Sequence, residues 1–210
     1  MASQTIKQAP ARRARNSLSR EIILDAAQNL ARSGSEISLR SVAAILKCSA
    51  MALYRHFPDK QDLLLGLLDR VIGSIDLADE TAQWDERLVR LTALHLKVLQ
   101  ANPWAIPLLF EYPDPGPAVR QIGEAMLAAL KAGGASDNVA VSTFSSILAL
   151  NYGWAGFTAI GSQALPSKLA TSPSATEGLR TTSQLWAQFE SLGADSHHQM
   201  AVRKLISNLA

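Results

Sequence analysis

Apolar residues recur at helical spacing along almost the whole chain, and no stretch alternates as a strand would. Ile22, Ile23, Ala26, Ala27 and Leu30 share one face of a first helix, which Ser19 can cap and Gly34 ends. Leu39, Val42, Ala43 and Leu46 sit at i, i+3, i+4 and i+7 of a short second helix opened by Ser38. A third short helix runs from a Ser49 cap to about His56. Pro58-Asp59 then stops the chain and opens a fourth, through Leu63, Leu64, Leu67, Leu68, Val71 and Ile75. Beyond Asp79 the pattern predicts longer helices over about 83–101, 103–110, 116–132, 136–163, 177–193 and 196–209. The joints are "YPDPGP" at 112–117, "KAGGAS" at 131–136 and a polar loop at 164–176. The expected fold is all-α: an N-terminal three-helix helix-turn-helix head on a larger helical-bundle body.

Two short helices joined by about three residues, the second one basic, form the pattern of a DNA-reading pair. On a wheel of residues 49–57, Leu53 and Phe57 share the inward face. At about 100° per residue, Met51 and Arg55 then point away from it, flanked by Ala52 and Tyr54. Such an outward face suits a major groove: Arg55 for guanine or phosphate, Met51 or Ala52 for thymine methyls. Lys60 falls in the first turn of the fourth helix, where the dipole disfavours a cation and a phosphate would explain it. Ser38 and Tyr54 offer further phosphate donors.

Charge agrees with this reading. Residues 1–60 carry ten Lys/Arg against four Asp/Glu, a net of +6, and the remainder ten against fourteen, a net of −4. A basic head on an acidic body suits a polyanionic partner, although Lys7, Arg12, Arg13 and Arg15 of a basic N-terminal arm supply four of those ten charges. The chain is 48% hydrophobic with a single cysteine, which fits a large buried core and a reducing, cytoplasmic setting. Met1 to Ser19 has no apolar stretch, so a secretory signal is not expected. No charge occurs between Asp137 and Lys168, but Asn138, Ser142, Thr143, Ser145, Ser146 and Asn151 make this a buried helix rather than a bilayer span.

The segment "LSREIILDAAQNLARSGSEISLRSVAAILKCSAMALYRHFPDKQDLLLGLLD", and "LYRHFPDK" within it, resembles the tetracycline-repressor-like (TetR) transcriptional regulators. "WDERL" at 84–88, "ANPWAIPLL" at 101–109 and "YGWAGFTAIGSQ" at 152–163 are similar to the C-terminal domain of that family. The resemblance implies a disordered basic arm (1–17), a helix-turn-helix DNA-binding domain (18–77) and a ligand-binding and dimerisation domain (78–210). It implies a homodimer on near-palindromic double-stranded operator DNA, with Ser38 to Phe57 as the reading unit and Tyr54, His56 and Lys60 on phosphates. The expected DNA-facing residues are Ser38, Leu39, Arg40, Ser49, Ala50, Met51, Ala52, Tyr54, Arg55, His56 and Lys60. Lys47 stands where the family usually places a turn glycine, and a left-handed backbone there would cost about 1–2 kcal/mol. Cys48 is read as packing rather than redox chemistry.

Body aromatics suggest an apolar effector pocket with a few polar handles: Trp104, Phe110, Phe144, Asn151, Tyr152, Trp154 and Phe157. No histidine lies in 102–160, so a metal-bridged tetracycline is not expected, and neither is a metal or cofactor. His95 and the pair His197-His198 have no catalytic partners in sequence, and core or solvated roles are expected of them. The reading is a non-enzymatic, ligand-responsive DNA-binding repressor with a small-molecule effector. Its rivals are an activator of the same fold and a membrane-associated helical protein that does not bind DNA.

Overall fold

The computed structural model describes residues 18–78, 83–112, 116–159, 194–207 and 209, and all regular structure among them is helical. Four helices come first: α1 (Arg20–Arg32), α2 (Leu39–Leu46), α3 (Ala50–Tyr54) and α4 (Lys60–Ile72). Five follow: α5 (Trp84–Ala101), α6 (Ala105–Glu111), α7 (Pro117–Ala132), α8 (Asp137–Ala159) and α9 (Ala194–Ile206). The predicted arm at 1–17, the loop at 164–176 and the helix at 177–193 lie outside the described residues.

The starts follow their caps. Ser19 Oγ accepts from the Ile22 amide, Ser38 closes a reciprocal box with Ser41, and Asp59 accepts from the Asp62 amide. The differences from the predicted ends have local causes. The third helix was expected to reach His56, but it closes at Tyr54 and continues as a turn. There His56 and Phe57 both donate to the Leu53 carbonyl, and Pro58 prevents further winding. The fourth ends at Ile72, capped by Gly73, three residues before its apolar pattern ends, and Ile75 remains buried in the turn that follows.

Two apolar clusters divide the molecule. In the head, Ile23, Leu24, Ala27, Val42, Leu53, Phe57, Leu63 and Leu67 bury against one another, each large side chain stabilising by about 2 kcal/mol. In the body, α5 packs against α7, α8 and α9 around Leu88, Leu91, Leu99, Met126, Leu130 and Ile147. Helix α4 serves both, with Leu63 and Leu67 in the first cluster and Leu68, Val71 and Ile72 in the second. It touches α1 on one side and α5, α6 and α7 on the other.

One glycine fixes the join of α4 to the body. Gly116 has φ 136°, and a Cβ there would fall 2.5 Å from Asp69 Oδ1. That approach lets Asp69 on α4 accept from the Ala118 amide at 2.6 Å, placing a carboxylate at the start of α7, where the helix dipole favours it.

Candidate functional site

The outward face of α3 has the composition of a groove-reading surface. Leu53 and Phe57 are completely buried, which turns Met51 (75% exposed), Tyr54 (47%) and Arg55 outward. Ala52 and His56 flank them, half-buried. Ser49 stands at the helix start with its hydroxyl uncommitted to a cap, and Arg40 is exposed on α2. Ala50 packs partly against the head core.

Three predicted residues have other engagements. Leu39 is only 5% exposed and belongs to the head core, so its side chain does not face outward; as the first residue of α2 it turns inward beside Ile37. Ser38 is partly buried, its hydroxyl accepting from the Ser41 amide at 3.1 Å. Lys60 is exposed, with Nζ 3.5 Å from Glu36 Oε1, so that carboxylate occupies the cation a phosphate would meet.

The turn between α2 and α3 keeps the left-handed form. Lys47 has φ 51° and ψ 44° and is the one non-glycine residue with positive φ among those described. Its amide donates toward Ala43 and Ala44, ending α2 as a glycine would. Cys48 is half-buried against the head core, a packing position. Sequence reasoning missed Arg20. Its guanidinium lies over the Phe57 ring and donates to the His56 carbonyl, clamping the end of α3 to α1.

In the body, a cleft of about 520 Å³ opens between α6, α7 and α8. Phe110, Phe144 and Tyr152 line it with Leu148, Val119 and Gly123, while Arg120 and Glu124 add charge at its wall. Tyr152 meets Phe110 edge-on at 5.0 Å between centroids, and burial raises its phenol pKa, keeping the hydroxyl protonated.

The other four expected pocket residues lie elsewhere, and helix geometry explains three of them. Tyr152 lies about 80° around α8 from Phe144, and Trp154 about 80° the other way, toward α9. There Trp154 meets the His198 ring at 5.7 Å. Phe157 falls on the far side and is 60% exposed. Asn151 points between these faces, fully buried, with both Nδ2 hydrogens and Oδ1 engaged in hydrogen bonds. Trp104 precedes α6 and packs against both apolar clusters, at the join of head and body rather than on this cleft.

Asn151 organises a polar centre that sequence did not reveal. Its Nδ2 donates to the Thr92 carbonyl at 3.1 Å and to His95 Nδ1 at 3.0 Å. Its Oδ1 accepts from His198 Nε2 at 2.7 Å. The Thr92 carbonyl can only accept, which fixes the amide orientation; His95 Nδ1 is therefore the acceptor and carries no proton. Burial lowers the His95 pKa to about 4, and it lowers that of His198 against the opposing pull of Asp195. His95 of α5 and His198 of α9 are thus core groups, joined through α8. Among the described residues no cluster of His, Cys, Asp and Glu has metal-binding geometry.

The "Tetracyclin repressor-like, C-terminal domain" family matches residues 78–207. The chain belongs to the tetracycline-repressor-like family of transcriptional regulators. An HTH-type transcriptional regulator of Saccharopolyspora erythraea is 34% identical over 116 residues, covering 54% of this chain and 49% of its own. The HTH-type transcriptional repressor DrrR1 of Streptomyces coeruleorubidus is 31% identical over 144 residues, covering 66% of this chain and 53% of its own. The chain spans about half the length of these curated relatives. Apo ActR from Streptomyces coelicolor superposes with a TM-score of 0.76 at 19% identity, over 93% of this chain and 96% of that one. The same TetR-family protein in complex with (S)-DNPA gives 0.75 at 19%, over 92% and 97%. At such identities the likeness is one of fold, and the fold is that of TetR-family structures.

Proposed function

We propose that the chain is a ligand-responsive DNA-binding repressor, released from its operator by a small, mostly hydrophobic molecule. The observation that carries this reading is the α3 face, where Met51 and Arg55, with Tyr54 beside them, stand exposed on the side away from the buried Leu53 and Phe57. Residues 18–77 form the DNA-binding domain and 78–210 the ligand-binding and dimerisation domain, acting in the cytoplasm without enzymatic chemistry. Arg55 reads bases, Met51 and Ala52 meet thymine methyls, and Tyr54, Ser49, Arg40, His56 and Lys60 hold phosphates. Repression is supported by the similarity to a protein named as a transcriptional repressor. No helix among the described residues is long and apolar enough to cross a membrane.

The effector enters the α6–α7–α8 cleft, with Phe110, Phe144 and Tyr152 as its walls. The neighbouring fold of ActR was solved in complex with (S)-DNPA and with actinorhodin, which supports a small-molecule site on this scaffold. Release requires the ligand to favour a head orientation that no longer fits successive major grooves, because equal affinity for both states shifts nothing. Helix α4 is the transmitting element, since it reaches from Lys60 through both clusters and meets α7 at Asp69.

Two copies pair through α8 and α9. The outward side of α8 presents Ser142, Ser146, Ala149 and Gly153, exposed and small, and a Cβ at Gly153 or Gly156 would meet nothing within 4 Å. Two-fold pairing places two heads on a near-palindromic site. The test is genome-wide mapping of bound sites, followed by anisotropy on the recovered DNA with wild type and Tyr54→Ala. Enrichment of short inverted repeats, bound by a dimer and lost in the variant, is expected. Random recovery with no difference between the proteins would reject the reading, and falling transcription after gene deletion would identify an activator.

A further inference from the structure

A second cleft, of about 470 Å³, lies where head meets body, and it shares no lining residue with the α6–α7–α8 cleft. Its walls come from α1, α4 and the turn after it, and α5 with the following Asn102. The floor is apolar: Val71 and Ile75 are buried, and Leu94 and Val98 half-buried. Four charged groups besides Lys97 define its electrostatics or partner one another there: Arg32, Arg70, Asp76 and, against Asp76, Arg90.

Three of these four are already paired. Arg70 is held by Asp25 and Glu21, and Asp76 pairs with Arg90 at 3.3 Å. Arg32 and Lys97 are exposed on opposite walls and have no ion pair or hydrogen bond among the described residues. Arg32 stands in the last turn of α1, where the helix dipole favours a cation. No such account covers Lys97. It lies before the last turn of α5, and the residues three and four away on either side are Leu94, Ala93, Gln100 and Ala101, none of them acidic. The cleft therefore presents two cations without an ion pair among the described residues over an apolar floor.

We propose that this cleft binds a small organic anion, a carboxylate or phosphate carried on an apolar body. The oxyanion sits between Arg32 and Lys97, and the apolar part lies on Val71, Ile75, Leu94 and Val98. Because Arg32 belongs to α1 of the head and Lys97 to α5 of the body, the bound anion ties the two units at one angle. The site is independent of what the α3 face reads and of what occupies the other cleft.

The experiment is calorimetric titration at low ionic strength with 2-naphthoate and with its neutral counterpart 2-naphthamide. The proteins are wild type, Arg32→Ala, Lys97→Ala and, to fill the other cleft, Gly123→Leu. Both alanine changes fall on exposed side chains and leave the fold intact, which thermal melting verifies. We expect one naphthoate per chain, weakened about fivefold or more by each alanine change and unaffected by Gly123→Leu, with naphthamide weaker by a similar factor. Absence of naphthoate binding at millimolar concentration overturns the proposal. So does equal binding of the amide, unchanged affinity in both alanine variants, or loss of binding in Gly123→Leu alone, which would move the anion to the other cleft.

Discussion

The Arg20 guanidinium lies 4.0 Å from the centre of the Phe57 ring, joining the start of α1 to the residue that ends the reading unit. Gly66 on α4 makes room for this stack, since a Cβ there would come within 3.1 Å of Phe57 Cε1. The arginine also donates to the His56 carbonyl and pairs with Asp62 at 3.3 Å. The ion pair is half-exposed and contributes little, so the stack and the carbonyl bond dominate. Arg20→Ala is expected to destabilise the protein by about 1–2 kcal/mol in urea titrations. Gly66→Ala, which pushes the ring, should cost about 1–3 kcal/mol. Unchanged midpoints in both variants would show that the stack holds nothing.

Lys47 carries a left-handed backbone without the glycine that such a turn favours. Its replacement relieves the Cβ contact but adds freedom to the unfolded chain, and the two effects partly cancel. We expect Lys47→Gly to stabilise by about 0.5–1 kcal/mol, and Lys47→Val, branched at Cβ, to destabilise by at least as much. Denaturant unfolding of the three proteins measures both. If the valine variant is as stable as the lysine, the turn has another conformation.

Much of this architecture was legible because local signals agreed. Ser19, Ser38 and Asp59 stand just before runs of helical periodicity, and Leu53 with Phe57 fixed which way α3 faces. The cleft was legible only in part. Phe110, Phe144 and Tyr152 were found because aromatics on body helices are a fair guide to cavity walls. Asn151, Trp104, Trp154 and Phe157 failed that guide because a residue's facing depends on which neighbours surround its helix. In a largely apolar, nearly uncharged helix such as α8, polar and apolar positions are too weakly segregated for rotation to be read from them. The Asn151 centre was invisible for a further reason: Thr92, His95 and His198 lie on α5 and α9, 47 to 59 residues away in sequence.

That centre makes stability depend on pH. Burial lowers the folded pKa of His95 to about 4 from its ordinary 6.5, so between those values the unfolded chain binds the extra proton. Its contribution is complete above about pH 6.5 and is lost as pH falls toward 4, in total about 3 kcal/mol. His198, also lowered, adds loss in the same direction. Unfolding free energy should therefore fall steeply from pH 7 to pH 5. His95→Gln, whose carbonyl can still accept from Asn151, should flatten that slope while costing stability at pH 7. A slope identical to wild type would remove His95 from the titration.

On the proposed reading, Glu36 competes with DNA for Lys60. The pair is solvent-exposed on both sides, so breaking it costs little. If Lys60 meets a phosphate, Lys60→Ala should weaken operator binding and reduce the salt slope by about one unit. Glu36→Gln should strengthen binding by a fewfold, by freeing the lysine and removing a charge that repels the backbone. Tyr54→Ala should weaken binding without changing the slope, its hydroxyl being neutral. Arg55→Ala should instead change base preference in selection from randomised DNA. Equal affinities and slopes for the Lys60 and Glu36 variants would take both residues out of the interface.

The contact between Asp69 and the start of α7 offers the most direct test of how cleft and head communicate. Asp69 Oδ1 accepts from the Ala118 amide at 2.6 Å, and Gly116 admits that approach. The cleft lies on α7 beyond this point, at Val119, Arg120, Gly123 and Glu124; on the proposed reading, a ligand wedged between α7 and α8 would pull on the bond. Asp69 itself sits on α4, one residue from the body-core Leu68 and two from the head-core Leu67. A displacement of α7 is thus handed to the helix that carries the head. Asp69→Asn keeps an acceptor oxygen but loses the charge that favours the helix start, whereas Asp69→Ala loses both. Operator affinity without effector should change by less than about threefold in either variant, since neither touches the α3 face. Effector affinity for the cleft should change as little. The coupling between them, the factor by which effector weakens operator binding, should shrink in Asp69→Asn and more in Asp69→Ala. Measuring all three quantities by anisotropy, with an effector found by screening for release, separates coupling from binding. Full release in Asp69→Ala would mean that the signal reaches α4 by another contact, most directly through Trp104, which packs on both clusters.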